Sequence, residues 1–216
     1  MATARRDHPL LADIADKYPV VLINRVSGSV QLPSVATDEQ HGIRLAVEHL
    51  FGLGHTDIAH LAGPTWSPTG HERAQAFNRA MREHGLSTAK RVVPVEAWSI
   101  ESARDAAKKL LSTDPEITGV VCANDQLAIG VLEACRQLKL KSPRDLSVVG
   151  YNDMPFMDLI DPPLTTVRVP QHDIGAEAAR LILSLLTKEG STPVKQVRLT
   201  PELIIRGSTA APRKDR

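Results

Sequence analysis

Aromatic residues are scarce in this 216-residue chain, at 3%, with two Trp, two Tyr and three Phe. An aromatic placed where a strand ends, such as Trp98, is therefore conspicuous. Cysteine is nearly absent. Cys122 and Cys135 cannot build a disulfide framework, and neither has a partner at metal-ligand spacing, so both read as small buried filler. Charge of one sign is not in excess: the formal net charge is +1, which excludes a global basic field for nucleic acid. No apolar run reaches the length of a membrane span, so no membrane partner is expected. The first residues, MATARRDHPLLADIADKYPVV, lack the apolar core of a secretory signal, which points to the cytoplasm. Phosphate loops and nucleophile elbows are missing, and the eight histidines show no metal-ligand spacing. Neither an enzyme nor a cofactor is expected.

What is present is an alternation of short apolar runs with helical patterns. Pro19 to Arg25 reads as a buried parallel strand from its continuous β-branched run. Thr37 or Asp38 caps a helix running to about Leu53, with Ile43, Ala46, Val47 and Leu50 on its apolar face. Asp57 to Ala62 is the next strand. A loop from Thr65 to His71 leads to a helix from about Glu72, with Arg73 in its first turn. Arg91 to Ala97 reads as a strand, at an edge because of Pro94. Trp98 sits at its tip, and Ser99 caps a helix to about Leu111. Gly119 to Ala123 is a strand, Asn124-Asp125 caps a helix to about Leu140, and Leu146 to Val149 is a strand ending at Gly150-Tyr151-Asn152-Asp153. After the stiff turn Asp161-Pro162-Pro163 come a strand at Leu164 to Val167 and a helix from Asp173 to Thr187. A loop from Glu189 to Pro193, closing strands at Val194 to Leu199 and Leu203 to Arg206, and a polar tail from Ala210 complete the chain. This order predicts parallel βαβ units. Leu11 to Ala15 lead into Lys17-Tyr18-Pro19 and a strand, so no helix-turn-helix is read.

In open α/β sheets ligands bind outside the carboxyl ends of the strands. Asn24, the loop Thr65 to Thr69, Trp98, Asn124 and Asn152 all fall at such ends. Amides and a guanidinium offer fixed donors and acceptors for hydroxyl groups, and an aromatic plate stacks on the apolar face of a sugar or on a base. Plainer readings stand beside these. Asn124 is equally a helix N-cap, Arg73 a solvated helix charge, Trp98 core or interface, and Asn24 and Asn152 ordinary strand ends or loop caps.

The run DLSVVGYND followed by PPLTTV resembles the LacI/GalR family of bacterial transcription regulators, and so does GIRLAVEHLFGLGHTDIAHLAGP. The segment RAQAF is similar to the family's arginine followed by a small residue and an aromatic, with Ala76 where glycine is usual. The resemblance covers the effector-sensing part. It implies a periplasmic-binding-protein-like type I α/β fold of two Rossmann-like parallel-sheet subdomains. Residues 1–36 plus 168–192 would form an incomplete N-terminal subdomain. Residues 37–167 plus 193–209 would form the C-terminal one, with a polar tail at 210–216. It further implies a small-molecule effector, a sugar or sugar derivative, bound between the subdomains by Asn24, Ser67, Thr69, Arg73, Trp98, Asn124 and Asn152. Arg73 would anchor it, the three asparagines would read its hydroxyls and Trp98 would stack. Asparagine stands at 24 and 152 where the family often has aspartate, which widens the range of ligands. The implied partners are a second copy, as a homodimer, and operator DNA reached only through a headpiece absent from these residues. The chain is thus expected to be N-terminally truncated and not to read an operator by itself. A transport solute-binding protein shares the fold and is the alternative.

Overall fold

A computed structural model describes residues 10–25, 30–187 and 195–213. In chain order the elements are α1 (Leu10–Ala15), β1 (Leu22–Ile23), β2 (Ser34–Thr37), α2 (Glu39–Gly52), β3 (Ile58–Ala62), α3 (Pro68–Glu83), β4 (Val92–Pro94) and α4 (Ile100–Thr113). They continue with β5 (Gly119–Cys122), α5 (Asp125–Gln137), β6 (Ser147–Asn152), β7 (Thr165–Arg168), α6 (Gln171–Leu186), β8 (Gln196–Leu199) and β9 (Glu202–Ile204). The chain divides into two compact units, Met1–Asp38 with Pro170–Pro201 and Glu39–Val169 with Glu202–Arg216.

The larger unit is a six-stranded sheet in the order β4-β3-β5-β6-β7-β9. All pairings are parallel except β7 with β9, where Val167 faces Leu203. Both faces are covered by helices, as a parallel sheet requires. Side chains alternate along β3. Ala59 and Leu61 join Val120, Cys122 and Val148 in a core with α4 and α5. His60 points the other way and stacks on Phe77 of α3, with ring centroids 5.1 Å apart. Three helices on these faces start with the cap their sequences offer. Ser67, Ser99 and Asn124 accept from the backbone N–H groups of Gly70, Ser102 and Leu127. Pro68 fills the first turn of α3, where its missing N–H costs nothing. In α5, a Cβ at Gly130 would lie 2.5 Å from the Ala103 Cβ and from the Ile100 carbonyl oxygen. Glycine is what lets α4 and α5 approach this closely.

The smaller unit is a three-stranded sheet, β1-β2-β8, with all pairings parallel. It departs from expectation in three ways. The strand expected from Pro19 to Arg25 is only Leu22–Ile23, and Ile23 is 47% exposed rather than buried on both faces. Its neighbour β2, Ser-Val-Ala-Thr, was not foreseen because four mixed residues after a proline carry no periodicity. Finally, β8 pairs with β2 through Val35 and Val197, so residues 195–201 belong to this unit and not to the larger one. The expected loop Glu189 to Pro193 lies outside the described residues.

The segment from Ala210, expected as a polar tail, is tied to the larger unit as far as Arg213. The Ala210 carbonyl accepts from His55 Nε2 at 2.8 Å and from Ser147 Oγ at 3.0 Å. Arg213 pairs with Asp145 at 2.7 Å. Just upstream, the Ser208 hydroxyl donates to the Val148 carbonyl and accepts from the Thr165 N–H, binding the segment between β6 and β7. No described helix is long and apolar enough to cross a membrane.

Candidate ligand-binding site

The candidate residues of the larger unit lie at or beyond the carboxyl ends of β3, β4, β5 and β6. Helix α3 starts at Pro68, earlier than expected, so Arg73 stands in its second turn. Arg73 is not a solvated charge: it is only 6% exposed. Its Nε donates to Glu39 Oε2 at 2.6 Å, and one terminal nitrogen donates to Glu39 Oε1 at 3.1 Å. The other terminal nitrogen donates to the Ala123 carbonyl. The guanidinium carbon lies 3.7 Å from the centroid of the Tyr151 ring, a cation–π contact. Ala123 directly precedes Asn124 and Tyr151 directly precedes Asn152, so Arg73 is anchored to the tips of β5 and β6. Burial alone would lower its pKa, but the charges of Glu39, Tyr151 and Asp125 outweigh that and raise it. Gly42 of α2 makes room for this stack, since a Cβ there would come within 2.4 Å of the Tyr151 hydroxyl.

Asp125, the first residue of α5, is fully buried. Its Oδ1 accepts from the Thr166 hydroxyl at 2.5 Å and its Oδ2 from the Met154 N–H at 2.7 Å. Burial pushes its pKa up to about 6 against the lowering effect of these hydrogen bonds. The carboxylate ties β7 to the loop that follows β6. Where β6 passes into that loop, Asn152 and Asp153 have φ of 112° and 52°, in the left-handed region that favours glycine. The strain is held by Asp153, which accepts from Arg168 Nε and from Arg206, both at 2.7 Å. Burial would raise the Asp153 pKa, yet the two guanidinium groups bring it below the usual range. Backbone strain fixed in this way clusters at binding sites.

Trp98 lies four residues beyond β4 and is half-buried. Its ring rests against Gly63 at the end of β3, where a Cβ would be 2.1 Å from the Trp98 Cη2. Ser67 is buried, and its hydroxyl is engaged in capping α3 at 3.3 Å from the Gly70 nitrogen. Thr69 is half-exposed in the first turn of the same helix. The plain reading of Asn124 holds in part, because its side-chain oxygen accepts from the Leu127 N–H at 2.8 Å. The amide nitrogen is the half of the group that capping does not use. Asn24 belongs to the smaller unit, exposed at the end of β1 with φ of 55°.

Glu39 and Asp125 were not foreseen as site residues. Nothing in the sequence links Glu39 to an arginine 34 positions away, or Asp125 to Thr166, because both pairings arise only when strands and helices stack. Among the described residues no group of His, Cys, Asp or Glu could hold a metal ion. The strand tips of the larger unit thus carry an arginine with a compensating carboxylate, two amides and an aromatic plate.

The periplasmic binding protein-like domain family matches residues 47–209. The HTH-type transcriptional regulator MalR of Streptomyces coelicolor is 39% identical over 91% of this chain, and the chain spans 58% of that protein. A LacI family transcriptional regulator from Mycobacterium smegmatis superposes with a TM-score of 0.86 at 31% identity, covering 96% of this chain and 76% of that one. The transcriptional regulator CelR in complex with cellobiose superposes with a TM-score of 0.88 at 30% identity, covering 94% and 63%. The fold, the strand-tip geometry and these likenesses together show that the chain belongs to the LacI family of transcriptional regulators, whose periplasmic-binding-protein-like region it carries.

Proposed function

We propose that the chain is the effector-sensing region of a LacI-type transcription regulator, and that its ligand is a neutral polar metabolite, a sugar. The observation that carries this reading is Arg73. Its guanidinium is buried between the tips of β5 and β6 with its charge already balanced by Glu39. Three of its five N–H groups are used, which leaves two for an effector oxygen. Asn124 and Asn152 would read hydroxyls, Thr69 and Ser67 would line the entrance, and the Trp98 ring would stack on the sugar face. The likeness to CelR in its complex with cellobiose supports a saccharide. The effector would act by binding one of two conformational states better than the other. Operator DNA and a second copy are proposed partners of the whole protein. A structure of a dimeric lac repressor, similar to this chain with a TM-score of 0.84, supports the second copy. The cytoplasm is the proposed location, in keeping with regulators as relatives rather than transport proteins.

Calorimetry with a panel of mono- and disaccharides tests the reading. Binding is expected, and Arg73→Ala is expected to cost on the order of 2–5 kcal/mol of it, as for loss of a buried charged hydrogen-bonding group. Unchanged affinity in Arg73→Ala would remove this residue from the site, and absence of binding across the panel would remove the saccharide.

A further inference from the structure

The geometry points to Glu39 as the residue that makes this site select neutral effectors and reject anionic ones, an inference that rests on the effector binding at the tips of β5 and β6. An arginine at a strand tip is by itself a receptor for phosphate or carboxylate, because its planar fork matches two anionic oxygens at once. Here that fork is filled from within. Both carboxylate oxygens of Glu39 lie on Arg73, at 2.6 and 3.1 Å, in the bidentate arrangement an anionic ligand would adopt. The pair is almost wholly shielded: the Arg73 side chain is 7% exposed and that of Glu39 12%. Solvent therefore screens the pair little, and an incoming anion would have to evict a carboxylate fixed by its own helix.

The surroundings do not restore positive charge. Asp125 lies close enough to act on Arg73 and is fully buried. Arg168 and Arg206 are matched by two carboxylates, Asp153 at 2.7 Å from both and Glu202 at 3.1 Å from Arg168. His60 behind the sheet is buried, donates Nδ1–H to the Val121 carbonyl and is neutral near pH 7. Counted around Arg73, the one positive charge faces two carboxylates, Glu39 and Asp125. A hydroxyl can still use the remaining N–H groups without meeting net repulsion, whereas a phosphate or carboxylate cannot. Glu39 opens α2, and its position there is set by the helix. The selection is thus built into the framework and does not depend on a flexible loop.

The test uses the 216-residue chain with inorganic phosphate, glucose 6-phosphate and glucose as probes, at constant ionic strength. For wild type, no phosphate binding is expected at millimolar concentration. Glu39→Gln keeps a hydrogen-bonding side chain of the same length and removes the charge. It should gain at least tenfold in affinity for phosphate and for glucose 6-phosphate, and adding Arg73→Gln should abolish the gain. A folded Glu39→Gln variant with no better anion affinity overturns the inference, as does wild-type protein that already binds phosphate. Circular dichroism reports whether the variant folds, and Glu39→Ser is made in parallel. If neither folds, thermal melts of wild type decide. A melting temperature raised by phosphate and not by chloride at equal ionic strength refutes the assignment, and equal melting temperatures support it. Wild type that binds no neutral sugar, together with a Glu39→Gln variant that gains phosphate through Arg73, would overturn the saccharide and leave the Glu39 assignment standing.

Discussion

Replacing Asp125 by asparagine should change how the stability of the larger unit responds to pH. In the fold the Asp125 pKa is pushed from 3.8 to about 6 by burial. Between these two values the folded protein holds a proton that the unfolded chain has released, so this group's contribution to stability falls as pH rises. It is greatest below the unfolded value and has been lost once the pH passes the folded one. At 1.36 kcal/mol per pKa unit the loss is about 3 kcal/mol. Asparagine has the shape of the protonated acid. Its oxygen can take the Met154 N–H, and its nitrogen can donate to the Thr166 hydroxyl, which then turns to accept. Asp125→Asn should therefore gain about 3 kcal/mol relative to wild type between pH 4 and pH 7. Urea unfolding followed by tryptophan fluorescence measures this, because Trp66 and Trp98 both lie in the larger unit. A difference between the two proteins that does not vary with pH would refute the reasoning. A difference of opposite slope would mean that the hydrogen bonds from Thr166 and Met154 outweigh burial.

His60 should give the reverse slope. Burial lowers its pKa to about 4, so its contribution is present above pH 6.5 and is lost as the pH falls toward 4, by about 3 kcal/mol. His60→Met should remove that loss, which acid titration of the unfolding free energy reads directly. Gly63→Ala places a Cβ 2.1 Å from Trp98 and should drive the ring off the end of β3. The expected outcome is a shifted emission spectrum and weakened saccharide binding with the far-ultraviolet circular dichroism retained. In hydrogen exchange, the Leu22 and Asn24 amides, bonded to Pro33 and Val35 on the short edge strand β1, should exchange on the order of 100-fold faster than those of Val121 and Val149 inside the larger sheet. Equal protection would show that the smaller unit is as stable as the larger.

Much of the larger unit was legible because its signals are local. Continuous apolar runs marked β3, β5 and β6, Pro94 marked an edge strand, and Ser99 and Asn124 marked the starts of helices. Each of these depends on residues within a few positions of one another, where propensity and capping act directly. The placement of Asn124, Asn152 and the Thr65 to Thr69 loop at strand ends follows from the same order of elements. Short or mixed segments were not legible. β2 has four residues and no alternation, and β8 could have paired in either sheet until Val197 met Val35. The electrostatics of the site belong wholly to the tertiary structure. Local sequence left Arg73 open to a plain reading as a helix surface charge beside the anchor that the resemblance implies, and only the closing of Glu39, Ala123 and Tyr151 around it shows a buried, balanced group; Asp125 read as a cap until Thr166 and Met154 reached its oxygens. Burial and pairing across tens of residues set which charges are balanced. Those quantities depend on how helices stack on a sheet, which no spacing along the chain records.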